Sequence, residues 1–166
     1  MRNHLRFCIT CILLGLLFGG CVSVQLPGGK VTSAKDVQLS EPKSPFEKIK
    51  AVNADRAWLS SKTGNTISYL SECGGPGDMS LQAIENESLS AMNKLQTVSS
   101  ETLIYNGREA RQSISKGELD GVPVQMALLI FKKNGCTYTM TYGGLQKQFP
   151  MELNDFEKFK VDFKAP

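Results

Sequence analysis

YNGREARQSISKGELDGVPVQMALLIFKKNGC, residues 105–136, is the stretch whose reading decides the fold. It holds three turn pairs, Asn106-Gly107, Asp120-Gly121 and Asn134-Gly135, set fourteen residues apart. Asn-Gly and Asp-Gly tolerate positive φ at both central positions of a type I′ turn, and the twist of that turn matches antiparallel strands. The spacing therefore predicts strands over 98–105, 108–119, 122–133 and 136–142, joined as a four-stranded meander. The third segment is apolar on both faces through Val124, Met126, Leu128, Leu129, Ile130 and Phe131, which puts it inside the sheet. The second is polar and interrupted by Gly117, which suits a more exposed strand. Cys136, Tyr138, Met140 and Tyr142 alternate with Thr137, Thr139 and Thr141, giving one core face and one polar face. The strands share no motif beyond their turns, so the period is not an internal repeat.

Upstream of the meander, 80–96 reads as a helix. Leu81, Ile84, Met92 and Leu95 recur at helical spacing, and the glutamates lie toward its start, where the helix dipole favours them. Before it, Ile67, Tyr69 and Cys73 share one face of a strand over 66–73, which Gly74-Gly75-Pro76-Gly77-Asp78 breaks. Lys62-Thr63-Gly64-Asn65 is a hairpin turn to a strand carrying Trp58, and Phe46-Glu47-Lys48-Ile49-Lys50 is an opening strand. Downstream, Asn154 and Glu157 form a helix capping box. Phe156, Phe159 and Phe163 then make an apolar stripe that packs on the sheet. The expected architecture is a single α+β domain over 45–166, an antiparallel meander sheet flanked by helices. Some 120 residues suffice for one core and hardly for two.

The N-terminal residues say where the chain goes. Arg2 and Arg6 precede an uncharged apolar run over 7–18, the layout of a secretory signal peptide. The run is short of the roughly 20 residues that span a bilayer as a helix. Leu16-Leu17-Phe18-Gly19-Gly20-Cys21 resembles the lipobox of bacterial lipoproteins, with Phe18 where that family usually has Leu. The resemblance implies cleavage after residue 20, a thioether-linked diacylglycerol on Cys21 and an N-acyl chain on its amine. That covalent lipid is the only cofactor expected. Val22 follows the cysteine, where lipoproteins kept in the inner membrane carry Asp. The implied address is the periplasmic face of the outer membrane, and the implied partners are that membrane and an envelope protein. Residues 21–44, with Pro27-Gly28-Gly29, Pro42 and Pro45 nearby and no aromatic residue, read as a lipidated flexible tether. The alternative is that 31–39 adds a short element to the domain.

Removing the signal bounds the chemistry. Without Arg2 and Arg6, 17 of the 19 basic residues remain against 16 acidic ones, a net of +1. Such a charge carries no footprint for nucleic acid. The single histidine, His4, leaves with the signal, and with it His-dependent triads and His metal ligands. Of five cysteines only Cys21, Cys73 and Cys136 remain. With Cys21 acylated, Cys73 and Cys136 read as a disulfide in an oxidising compartment. Two separate buried thiols are the alternative. Ser40-Glu41-Pro42-Lys43 and Lys62-Thr63-Gly64 match fragments of penicillin-recognising enzymes, but the accompanying Ser-Asp-Asn element is missing. No catalytic or metal-binding set is expected. Asp78, Glu85, Glu87, Glu118 and Asp120 are the carboxylates that a two-carboxylate hydrolase would draw on.

The order of elements also resembles a known fold. An opening strand pair, a helix, a long meander and a closing Phe-rich helix resemble the PsbP/Mog1-like α/β/α sandwich over 46–163. The strand Gly135-Cys136-Thr137-Tyr138 ahead of the Phe156, Phe159, Phe163 helix carries most of the likeness. The resemblance implies a non-enzymatic accessory or interaction module. A small-molecule or glycan binder, with a pocket beside Trp58, Tyr138 and Tyr142, is the second reading, and a carboxylate-dependent hydrolase the third.

Overall fold

A computed structural model of the chain describes residues 31–75 and 79–166. The signal peptide, Cys21, the first part of the tether and Asp78 lie outside these residues. The elements are β1 (Phe46–Ile49), β2 (Arg56–Ser60), β3 (Thr66–Cys73), α1 (Leu81–Ser88), β4 (Asn93–Tyr105), β5 (Arg108–Leu119), β6 (Val122–Lys133), β7 (Cys136–Leu145), a 3₁₀ turn (Phe149–Met151) and α2 (Leu153–Asp162). All seven strands form one antiparallel sheet in the order β1-β2-β3-β7-β6-β5-β4. The meander runs as its turns dictate. Asn106, Asp120 and Asn134 have φ of 52°, 49° and 51°, and the glycine after each is positive as well. β6 lies in the interior between β5 and β7.

Alternation then sorts side chains between two faces. On one face Ile67, Tyr69, Leu129, Phe131, Tyr138, Met140 and Tyr142 meet Phe149, Phe156, Phe159 and Phe163 from the 3₁₀ turn and α2. Rings interlock there: Tyr138 stacks on Phe131 at 4.8 Å, Trp58 meets Phe159 edge-on at 5.4 Å, and Tyr69 meets Phe163 at 5.2 Å. On the other face Leu128 and Ile130 pack against Leu89 and Met92 after α1, with Leu81 and Ile84 partly buried beside them. α1 packs chiefly on β6 and β5. The result is a sheet-rich α+β fold. It is not a clear α/β/α sandwich, because an eight-residue helix leaves the β3–β7 half of that face uncovered.

Several boundaries differ from those the sequence predicts. The helix expected over 80–96 ends at Ser88, and β4 begins at Asn93. Ser88 and Ser90 turn their hydroxyls back onto the carbonyls of Ile84 and Glu87, the competition that makes serine a poor helix interior residue. Pairing with the far half of β5 then claims the residues after the turn. The Asn154–Glu157 capping box does not form: α2 starts at Leu153, so Asn154 is already inside it, and no side chain caps its first turn. β7 runs on through Gly143 and Gly144 to Leu145. The most exposed strand of the meander is β4, at one edge of the sheet, rather than β5, whose Ala110, Ser113 and Ser115 are buried. Gly117 does not break β5; a Cβ there would lie 2.7 Å from the Asn93 carbonyl, so glycine admits the bulged start of β4.

The tether is also shorter than expected, and the alternative reading of 31–39 holds. Thr32 bridges to Cys73 and Gln38 to Lys164, while Ala34, Val37 and Leu39 pack on the larger core. Among the described residues no helix is long and apolar enough to cross a membrane.

Candidate functional site

The sheet is built from two runs of hairpins, β1-β2-β3 and β4-β5-β6-β7, that join where β3 pairs with β7. Both ends of this seam are locked by side chains. At one end Cys73 and Cys136, directly opposite in the register, form a disulfide with Cα atoms 4.0 Å apart. At the other, the buried Asn65 donates from Nδ2 to the Tyr142 hydroxyl (2.9 Å), the Gln148 carbonyl (3.0 Å) and Glu152 (3.1 Å). Glu152, also buried, accepts from the hydroxyls of Ser60 (2.8 Å) and Thr63 (2.5 Å). The β2–β3 hairpin thus bonds the carboxylate at the start of α2 directly, and Asn65 ties the β7 tyrosine to the same cluster. Tyr142 donates in turn to the Phe149 carbonyl at 2.6 Å.

This placement corrects the expected ligand surface. Trp58, Tyr138 and Tyr142 are 1%, 0% and 0% exposed and belong to the aromatic core under α2. Burial raises the phenol pKa of Tyr142, helped by the negative charge of Glu152, and burial likewise raises that of Tyr138, with Asp55 adding to it. Alternation correctly put Tyr138 and Tyr142 on the apolar side of their strand. That side is filled by α2, so the rings serve packing.

The opening lies on the opposite face. A groove of about 880 Å³ runs over the half of the sheet that α1 leaves bare. Its floor is Ser68, Leu70 and Glu72 of β3 with Thr137, Thr139 and Thr141 of β7. These are cross-strand neighbours, Ser68 opposite Thr141, Leu70 opposite Thr139 and Glu72 opposite Thr137. Ile84, Glu87 and Ser88 of α1 form one wall with Met79, and Val31, Asn53 and Gly75 lie on the rim. Arg108, Lys132 and Lys133 bring positive charge to the end near the β4–β5 and β6–β7 turns. The floor is thus hydroxyl-rich with an apolar centre, and charges of both signs stand at its margin. The threonine alternation of β7 announced a polar face. Nothing in the sequence told that this face borders a cleft, because the gap arises from the shortness of α1.

The carboxylates singled out by sequence are spread apart in role. Glu85 is buried and ion-paired to Arg111, holding α1 to β5. Glu118 pairs with Lys94 at 2.9 Å. Among the described residues of that set, Glu87 alone lines the groove. Among the described residues no group of three or more metal-ligating side chains is gathered.

No protein-family model and no curated sequence matches the chain. Solved structures resemble it in shape. LpqN of Mycobacterium tuberculosis, described as involved in cell envelope biogenesis, superposes with a TM-score of 0.61 at 12% identity, over 86% of this chain and 88% of that one. Cyanobacterial PsbP (CyanoP) from Synechocystis sp. PCC 6803 superposes with a TM-score of 0.55 at 10% identity, over 89% of this chain and 98% of that one. At such identities the likeness concerns the fold, which is PsbP-like.

Proposed function

We propose that the chain is a lipid-anchored accessory protein of the cell envelope that works without catalysis, by holding a protein partner against the open half of its sheet. The observation that carries this reading is the groove between α1 and the β3–β7 floor. Its mixture of hydroxyls, an apolar centre and a charged margin suits the polar-rimmed contact of a non-obligate interface. The envelope role is supported by the fold shared with LpqN, whose description places it in envelope biogenesis. The anchor is Cys21, with acyl chains contributing about 0.8 kcal/mol per buried CH₂. Val31 at the groove rim is ten positions after Cys21, a reach of at most about 36 Å, so the groove stays close to the bilayer. The preferred address is the outer membrane, facing the periplasm.

Two measurements test this. Metabolic labelling with a palmitate analogue should mark the wild-type chain and not Cys21→Ala, which should accumulate as an unprocessed precursor. Normal processing of that variant would remove the anchor from the reading. A photo-crosslinking amino acid at Thr139, on the groove floor, should then yield a discrete adduct in intact cells. The same probe at the exposed Val161 of α2 should not. Equal yields at both positions would count against the groove.

A small-molecule ligand is the second reading, favoured by the groove's volume, which lies within the roughly 300–1,000 Å³ of ligand pockets. It no longer has the aromatic wall of Trp58, Tyr138 and Tyr142 on which the glycan version rested.

A further inference from the structure

We infer that the Cys73–Cys136 disulfide is a redox latch for the segment 31–34. Its reduction frees that segment from the sheet and leaves the sheet folded. The inference concerns the segment itself and stands whether or not the groove holds a partner.

The geometry at Cys73 is the reason. Its N–H donates to the Thr32 carbonyl at 2.8 Å, and the Thr32 N–H donates to the Cys73 carbonyl at 3.1 Å. Both backbone groups of Cys73 are thus turned away from β7. Opposite Cys136 it forms a non-hydrogen-bonded pair of the antiparallel ladder, as the 4.0 Å Cα separation also indicates. The flanking ladder bond on the outer side, Gly74 N–H to the Gly135 carbonyl, is long at 3.4 Å. At this last position the sulfur–sulfur bond is therefore what holds Cys73 against β7. Thr32 hangs on the other edge of the same residue, so a frayed strand end lets it go. The bonds next in line are from side chains: Ala34 N–H to the Ser71 hydroxyl at 2.8 Å, and the Ser33 hydroxyl to Asp55 at 2.5 Å.

Two other attachments do not depend on the sulfurs. Gln38 and Lys164 exchange backbone bonds at 3.1 and 2.7 Å, which stops the release at that point. The opposite end of the seam is closed by Asn65 and Glu152. Both cysteines are half-buried at the last position of the β3–β7 ladder rather than sealed in the core, so a thiolate can approach. The reductant is a dithiol. One of its thiolates attacks a cysteine sulfur to give a mixed disulfide, and its second thiol displaces the protein cysteine. Two electrons and two protons pass to Cys73 and Cys136, which become thiols, and the dithiol becomes a disulfide. Val31, freed with Thr32, leaves the groove rim, and the path from Cys21 to the first held residue lengthens.

Residue-resolved amide exchange on the mature full chain in detergent, with and without dithiothreitol, tests this. Mass analysis counts the free thiols. Reduction should speed exchange of the Thr32 and Cys73 amides at least tenfold. Gln38 and Leu129 should stay protected, exchanging faster only in step with the lowered global stability, while Thr32 and Cys73 approach unprotected rates, and reoxidation should restore all four. Thr32→Pro removes one N–H of the bridge with the disulfide intact. Its Cys73 amide should exchange fast already, with little further change on reduction. Cys73→Ser with Cys136→Ser should match the reduced wild type, and wild type decides if that variant fails to fold. Unchanged Thr32 exchange in fully reduced protein would overturn the latch. Complete loss of protection at Thr32, Gln38 and Leu129 together would also overturn it, because the sheet would then not stay folded.

Discussion

Gly144 of β7 shows how much one missing side chain can matter. A Cβ there would overlap the carboxamide of Asn65, which cannot swing away because its Nδ2 is committed to Tyr142, Gln148 and Glu152. Gly144→Ala is expected to cost about 2–4 kcal/mol, by overpacking and by leaving buried groups unpaired, read as a lowered urea midpoint. Tyr142 in the same cluster, and Tyr105 beside α2, make a second prediction. Burial raises both phenol pKa values above the usual value of about 10. The folded chain therefore keeps protons that the unfolded chain gives up. The stability these tyrosines lend is complete below about pH 10 and falls above it, by at most about 1.4 kcal/mol per pH unit for each. Urea unfolding at pH 9, 10 and 11 should show that decline, and Tyr142→Phe should make it shallower. The apolar side of β7 was legible from alternation alone. The role of Asn65 was not, since its partners lie 77 to 87 residues away.

Among elements, the hairpins are the most local and were the most legible. Their turns need positive φ, and only a few residues accept it. The same asparagines do a second job that no local rule announces. Asn106 donates to the Phe163 carbonyl and accepts from Ala165 N–H, each at 3.1 Å, and Asn134 donates to Pro166 at 2.8 Å. Two turns thereby clasp the tail that follows α2. α1 is the weaker element, held by the Ser80 cap on Ala83 N–H and by the Glu85–Arg111 pair. Arg111→Ala would leave the Glu85 carboxylate buried without its counterion. A loss of about 2–3 kcal/mol is expected, toward the low end for a broken buried pair because Arg111 is partly exposed. Replacing both partners by apolar residues should cost less than the single change, a comparison that a double-mutant cycle measures. The over-long helix predicted through residue 96 has the same lesson: propensity and period are weak beside strand pairing, and β5 needed a partner along its whole length.

For the whole molecule the seam between the two strand runs decides stability. Cys73 and Cys136 are separated by 63 residues, and closing so long a loop lowers the entropy of the unfolded chain by about 4 kcal/mol in the chain-entropy argument. The Cys73→Ser, Cys136→Ser double variant should therefore lose up to about that much of the roughly 5–15 kcal/mol of a domain this size, yet remain folded. Equilibrium urea unfolding against the oxidised wild type checks it. What the sequence by itself determined are features written in neighbouring residues. These are the meander and its turns, the interior place of β6, the Phe-rich closing helix and the apolar sides of the strands. Each follows from backbone geometry at a turn or from a period of two or 3.6, and neither needs a distant partner to be read. Only the tertiary structure decided how β3 would meet β7, which apolar side α2 would fill and where α1 would stop. Only there did the groove come into being, with its floor on the threonine side and not beside Trp58. Those outcomes depend on contacts between residues far apart in the chain, whose gain is set by how whole faces fit, and no local pattern carries that information.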